Sequence, residues 1–100
     1  MKLGILVNTD EHLDTLKGLT EAAVSEGDEV IIFAMDIGTK LLESPGFTGL
    51  AELDNVSMAY CSHNAEGFGA MTHGLSDKIT RGSQYDNAVM NNKADKVIVL

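Results

Sequence analysis

The 100-residue sequence contains one cysteine, one proline and no tryptophan. A single cysteine excludes an internal disulfide and a cysteine-rich zinc module, and an unpaired thiol suits a reducing cytoplasm. No run approaches the roughly 18 uncharged apolar residues of a membrane span. The N-terminal apolar run is also too short for the core of a signal peptide. We therefore predict a cytoplasmic protein that does not bind membranes.

Basic residues are also few, since 7 Lys and Arg face 15 Asp and Glu and give a net charge of −8. This balance argues against nucleic acid as a partner, because such partners require clustered Lys and Arg. Aromatic residues make up only 5% of the chain, so the core must be built from aliphatic side chains and methionine. The length matches one domain, residues 1–100, which can bury about two-thirds of its unfolded surface.

Apolar runs predict the strands. Continuous apolar runs are typical of strands that are covered on both faces of a parallel sheet. Such runs occupy residues 3–7, 30–35, 56–60 and 96–100, and residues 78–82 form a weaker extended candidate. Helical segments lie between them, which is the pattern of βαβ units. The sequence therefore predicts an α/β fold, a three-layer α/β/α sandwich around a mainly parallel sheet of four to five strands.

The helices are predicted from periodicity and from end signals. One helix should run from Leu13 to the C-capping Gly27, with an apolar face that includes Leu16 and Thr20. Ser83 should cap a helix over residues 84–93. Asn8-Thr9-Asp10 should supply the cap of the first helix. Residues 36–39 are predicted to form a turn, and residues 40–43 a short helical piece ended by Ser44-Pro45-Gly46. Residues 63–75 are helix-compatible, but their glycine-rich part, residues 67–74, could be either a weak helix or a mobile loop.

Cys61 is the main candidate for chemistry, because it directly follows the third predicted strand. Strand C-termini in open parallel sheets face the ligand crevice, and an adjacent helix N-terminus favours a reactive thiol. His63, two residues later, could stabilise a thiolate or transfer a proton. The alternatives are a buried structural thiol for Cys61 and a surface position for His63.

Other candidate sites are weaker. Cys61, His63, His73 and His12 match no standard zinc or copper spacing, so we predict no metal site. Lys78 and Arg81 could hold an anion near the site, although most such charges are solvated. Asn8, Thr9 and Asp10 could orient a small ligand at the end of the first strand, with helix capping as the alternative. The helix faces that include Leu13, Leu16, Ala88 and Val89 could form an oligomer surface.

The chain resembles the small DsrE/DsrF-like family of sulfur-relay proteins. The resemblance rests on Val7-Asn8-Thr9-Asp10 at the end of the first strand, residues 27–33 leading into the second strand, the single cysteine after the third strand, and the tail 82–100 with Ala94-Asp95-Lys96-Val97 before the last strand. It extends over essentially the whole chain, but each motif is short. After Cys61 this sequence departs from many members, because polar Ser62-His63-Asn64 and a glycine-rich stretch replace a regular apolar helix.

The resemblance implies a compact α/β/α sandwich that is often a homo-oligomer. It also implies that Cys61 carries sulfane sulfur as a persulfide, without a bound cofactor, between a donor protein and an acceptor protein. The protein would then be a sulfurtransferase or persulfide carrier with Cys61 as its catalytic residue, and His63 is the second catalytic candidate because of its position two residues later. A non-catalytic, oligomeric binding module with a structural cysteine is the alternative, since a shared fold does not imply a shared function.

Overall fold

All the predicted apolar runs form strands in the computed structural model, which describes residues 1–100. The sheet has five parallel strands in the order β4-β3-β2-β1-β5, which confirms the predicted fold class. The weaker candidate at 78–82 forms one edge of the sheet. The strands are β1 (Lys2–Val7), β2 (Glu29–Ala34), β3 (Val56–Cys61), β4 (Ile79–Gly82) and β5 (Lys96–Val99).

The helical segments connect successive strands. No helix is both long and apolar enough to cross a membrane, and the longest, α1, has 13 residues. The helices are α1 (Leu13–Ser25), α2 (Pro45–Thr48), α3 (Ser62–Gly67) and α4 (Gln84–Lys93), with 3₁₀ helices at Asp36–Glu43 and Gly49–Glu52 between β2 and β3.

The two faces of the sheet are covered unequally. Alternate residues of each strand point to opposite faces, so Val30 and Ile32 join one apolar cluster while Phe33 joins another. The larger cluster lies beneath α1, the 3₁₀ helices, α2 and α3. The smaller one contains Phe33, Cys61 and Met90 of α4, so α4 alone covers the second face. The result is an α/β/α sandwich with one thin outer layer.

The alternative of a helix through the glycine-rich stretch is excluded, and the turn predicted at residues 36–39 is wrong. Residues 63–75 do not form one helix, because α3 ends at Gly67, and Gly69 and Gly74 adopt the left-handed φ values of +67° and +79°. Residues 36–39 form the start of a 3₁₀ helix rather than a turn. The predicted stop at residues 44–46 is present, and there Pro45 also begins α2, since proline fits the first helical position.

The start of α1 also differs from the prediction. His12 precedes the helix and no side chain caps it. The Asn8 and Thr9 amides instead donate hydrogen bonds to the Leu100 carbonyl, at 2.9 and 3.3 Å. Hydrogen bonding between the β1 and β5 chains therefore continues past the end of β1. The residues that were expected to cap α1 extend this pairing instead.

Candidate functional site

Cys61 is the last residue of β3 and lies at the carboxyl edge of the sheet, as the sequence predicts. Strand alternation directs it to the α4 face, whereas Tyr60 faces the larger cluster. Its side chain packs with Phe33 and Met90 and is only 4% exposed. The thiol is therefore buried and packs against apolar side chains.

The neighbouring strands place two different groups beside Cys61. Ala34 is the register partner of Tyr60, so Met35, the next residue, lies alongside Cys61 on the β2 side. Gly82 is the register partner on the β4 side. A Cβ on Gly82 would come within 2.8 Å of the Asp86 carboxyl carbon. The Asp86 carboxylate thus occupies the position next to Cys61 that a side chain at residue 82 would take.

Asp86 is a site residue that the sequence analysis missed. Its carboxylate accepts a hydrogen bond from the Ser83 amide at 2.9 Å, and Ser83 Oγ accepts one from the Tyr85 amide at 3.2 Å. This reciprocal arrangement is a capping box, which holds the start of α4 over the sheet. The spacing Ser83-x-x-Asp86 directly after Gly82 is the sequence signal that could have identified Asp86. The predicted cap by Ser83 is confirmed.

The edge of the sheet above Cys61 is closed by two contacts. The Gln84 side-chain amide of α4 lies 3.9 Å from the Met35 sulfur. On the other side of the sheet, Asn64 Oδ1 accepts a hydrogen bond from the Asp36 amide at 3.0 Å. Asn64 belongs to α3, which begins immediately after Cys61. The residues that follow β2 are therefore attached to both α4 and α3.

The histidines do not gather around the thiol. His63 is exposed in the first turn of α3, and neither its side chain nor that of Cys61 makes a hydrogen bond within the protein. His12 and His73 are also exposed. No group of three or more His, Cys, Asp or Glu side chains could hold a metal ion.

Lys78 and Arg81, the two residues predicted to hold an anion, do not lie together at the site: one is paired with a carboxylate and the other is exposed to solvent. Lys78 pairs with Glu52 at 2.8 Å, and the hydrogen bond and charge of Glu52 raise the pKa of Lys78. Arg81 is exposed on the edge strand β4. Lys78 therefore anchors the end of the segment 68–78 to the second 3₁₀ helix. At the end of β1, the Thr9 hydroxyl is buried and has no hydrogen-bond partner.

Glu43 anchors the other part of the segment 68–78. Its carboxylate accepts a hydrogen bond from the Met71 amide at 2.8 Å and pairs with Lys40 at 3.0 Å. The Met71 hydrogen bond, and then Lys40, lower the pKa of Glu43. A lowered carboxyl pKa means that this anchoring is present at neutral pH and is lost as the pH falls through the lowered value.

Acidification should therefore release the Met71 amide. We expect its hydrogen-exchange protection factor to fall once the pH drops below the usual carboxyl range of about 4, and Glu43→Ala to remove the protection at neutral pH. The Ala70 amide, which bonds the Ala65 carbonyl at 2.8 Å, is the matched control because no titratable group accepts from it. Equal loss of protection at Ala70 and Met71 would show that acid unfolds the whole region instead.

One open cleft reaches Asp86 and Met90, the side chains that adjoin Cys61, but no cleft is lined by Cys61 itself. This cleft, of about 190 Å³, lies beside α4 over Ser57, Ala59 and Thr80, and another of about 270 Å³ continues from it toward Asn55 and Lys2. Lys93 lines both clefts. Because Cys61 is only 4% exposed, a reagent reaches the thiol only after side chains around it move.

Comparison with known proteins identifies the fold. No family model and no curated protein matches the sequence. Among solved structures, the crystal structure of the ychN protein from E. coli is similar, with a TM-score of 0.74 over 100% of both chains and 19% sequence identity. This protein therefore has a DsrE-like fold, with a five-stranded parallel sheet between helical layers.

Proposed function

We propose that this protein carries sulfane sulfur as a persulfide on Cys61 and passes it to a partner protein. The position of Cys61, at the carboxyl end of β3 in a parallel sheet, is the observation that carries the proposal. Ligands and reacting groups meet at this edge in open α/β sheets. The DsrE-like fold is compatible with this activity, and the reducing cytoplasm would keep the single thiol free.

The proposed reaction is a thiol exchange in which sulfur moves without an external oxidant. The Cys61 thiol loses its proton, and the thiolate attacks the outer sulfur of a donor persulfide. The sulfur–sulfur bond of the donor breaks as a new one forms on Cys61, and the donor leaves as a thiol after taking up a proton. A thiolate of the acceptor protein repeats the exchange on the Cys61 persulfide. No bound cofactor is required.

His63 is proposed to move the proton. It is exposed two residues after Cys61, where a donor protein would approach, and a histidine can change its charge near neutral pH. The His63 side chain makes no hydrogen bond within the protein, so nothing in the fold holds it elsewhere. In this role it would take the proton of the exposed thiol, once the site has opened, and return it to the leaving donor thiolate.

The proposed partners are the sulfur donor, the sulfur acceptor and further copies of this chain. The prediction that Leu16 contributes to an oligomer surface is wrong, because Leu16 is only 1% exposed and lies in the core beneath α1. The uncovered sheet face beside α4 is a better candidate, since Ser57 and Thr80 are exposed there although parallel sheets are normally covered on both faces.

Intact-mass measurement tests the proposed reaction. Reduced protein exposed to a persulfide donor should gain one sulfur atom, Cys61→Ser should gain none, and His63→Ala should gain it more slowly. The serine replaces the sulfur at nearly the same volume, so it removes the nucleophile with little change in packing. An equal gain by wild type and Cys61→Ser would contradict the proposal. An unchanged rate in His63→Ala would remove His63 from it.

The burial of Cys61 favours one second candidate function. A thiol enclosed between Phe33 and Met90 is also the arrangement of a structural cysteine. In that case the protein is a non-catalytic binding module, and the polar residues after Cys61 recognise a partner or a small molecule. Wild-type protein that alkylates at Cys61 under native conditions but never gains sulfur would favour this function.

A further inference from the structure

We propose that the Met35–Asp36 corner is a gate over Cys61 and that the Asn64 side chain holds this gate closed. The corner is the point where the chain leaves β2 and begins the first 3₁₀ helix. The purpose of such a gate rests on the proposed function, but its existence does not. Cys61 serves here as a built-in probe of opening.

Met35 is placed to obstruct access to the thiol. It lies beside Cys61 at the sheet edge, packs against the cluster of Phe33, Cys61 and Met90, and reaches the Gln84 amide of α4. A methionine suits this position because its unbranched, flexible side chain can change conformation easily. The Met35–Gln84 contact, at 3.9 Å to sulfur, is weak, so it does not by itself fix the closed position.

Asp36 has a backbone conformation that requires support. Its φ is +49°, in the left-handed region that non-glycine residues seldom adopt. Asn64 Oδ1 accepts the Asp36 amide, and Thr39 Oγ1 donates to the Asp36 carbonyl at 2.7 Å. Thr39 lies within the same 3₁₀ helix and moves with it, whereas Asn64 belongs to α3. The Asn64 hydrogen bond is therefore the side-chain link that attaches the corner to α3.

This link connects the gate to the surface where a partner would dock. Asn64 is three residues after Cys61, and α3 also carries the exposed His63. A partner that moves the first turn of α3, or competes for the Asn64 amide, withdraws the support of Asp36. The strained φ can then relax, and the Met35 side chain can turn away from Cys61 while its amide stays bonded to the Val7 carbonyl at 2.9 Å. Docking and exposure of the thiol are thereby coupled without any change in the sheet.

Alkylation of the native protein tests the gate. Asn64→Ala should increase the rate of Cys61 alkylation by iodoacetamide about tenfold, because a half-buried amide loses its only partner. Asn91→Ala is the matched control, since Asn91 also uses its side chain in a hydrogen bond to a helix residue, Asn87, but lies near the far end of α4. Asn64→Asp keeps an acceptor oxygen and should alkylate close to the wild-type rate.

Low concentrations of urea separate local opening from global unfolding. A gate predicts an alkylation rate in Asn64→Ala that stays constant while urea remains below the unfolding transition, since little surface is exposed by opening. A rate equal to wild type, or one that rises with urea in parallel with global unfolding, would overturn the gate. Fast alkylation of Asn64→Ala without any sulfur gain from a persulfide donor would retain the gate and reject the proposed function.

Discussion

Phe33→Ala is expected to destabilise the protein by about 3–5 kcal/mol, the usual cost of removing a fully buried aromatic side chain. Phe33 is 1% exposed near the end of β2 and belongs to the small cluster with Cys61 and Met90. Only α4 covers this cluster, so few neighbouring side chains can move in to fill the cavity. Since domains of this size are stable by about 5–15 kcal/mol, urea unfolding should show a large loss.

Two variants define the reference for this measurement. Phe33→Leu keeps most of the apolar volume and should cost much less than the alanine. Tyr85→Ala removes an aromatic ring that is 74% exposed and should change stability by less than about 0.5 kcal/mol. A Phe33→Ala loss as small as that of Tyr85→Ala would mean that the α4 face contributes little to the core.

Gly38→Ala is expected to have the second largest effect, a destabilisation of about 1–3 kcal/mol or more. A Cβ at this position would lie 2.8 Å from the Val7 carbonyl carbon and would also overlap the carbonyl oxygen. Backbone atoms cannot rotate away as a side chain can. The same Val7 carbonyl accepts the Met35 amide at 2.9 Å, so relief of the overlap would also displace the corner over Cys61.

Gly18→Ala is the matched control and should change the stability in the opposite direction. Gly18 lies in the interior of α1, and a Cβ there would meet no atom within 4 Å. Alanine should therefore stabilise the helix by about 1 kcal/mol, because glycine is a poor helix former. Thermal or urea unfolding of both variants checks the pair. Two shifts of the same sign would contradict the close approach between Gly38 and Val7.

The strands were predictable because their apolar runs are continuous. Parallel strands covered on both faces leave this signal in the sequence without help from tertiary contacts. The first 3₁₀ helix was not predictable in the same way. Its first residues, Asp36-Ile37-Gly38-Thr39, have turn-forming or β-branched side chains. The helix forms because Gly38 fits against Val7 and because Asn64 supports Asp36, which are contacts between distant parts of the chain.

The candidate site was predictable in position but not in exposure. The apolar run before Cys61 places it at the end of a strand, and the structure confirms this. Its burial depends on how Phe33, Met35 and Met90 of α4 pack around it, and the sequence does not indicate how these elements meet. The position of Asp86 beside Cys61 depends on the register between Cys61 and Gly82, which is likewise a tertiary property.

The placement of β5 has a consequence for folding during synthesis. Contacts between β1 and the chain at β5 join residues that are 93 positions apart, as in the bond from the Lys2 amide to Asp95 at 2.7 Å. As the ribosome releases the chain, β1 can pair with β2 early, but its other edge has no neighbour until β5 has emerged. Contacts between distant residues also slow folding. During translation, β1 therefore presents an unpaired strand edge, the kind of surface that chaperones protect and that aggregation exploits.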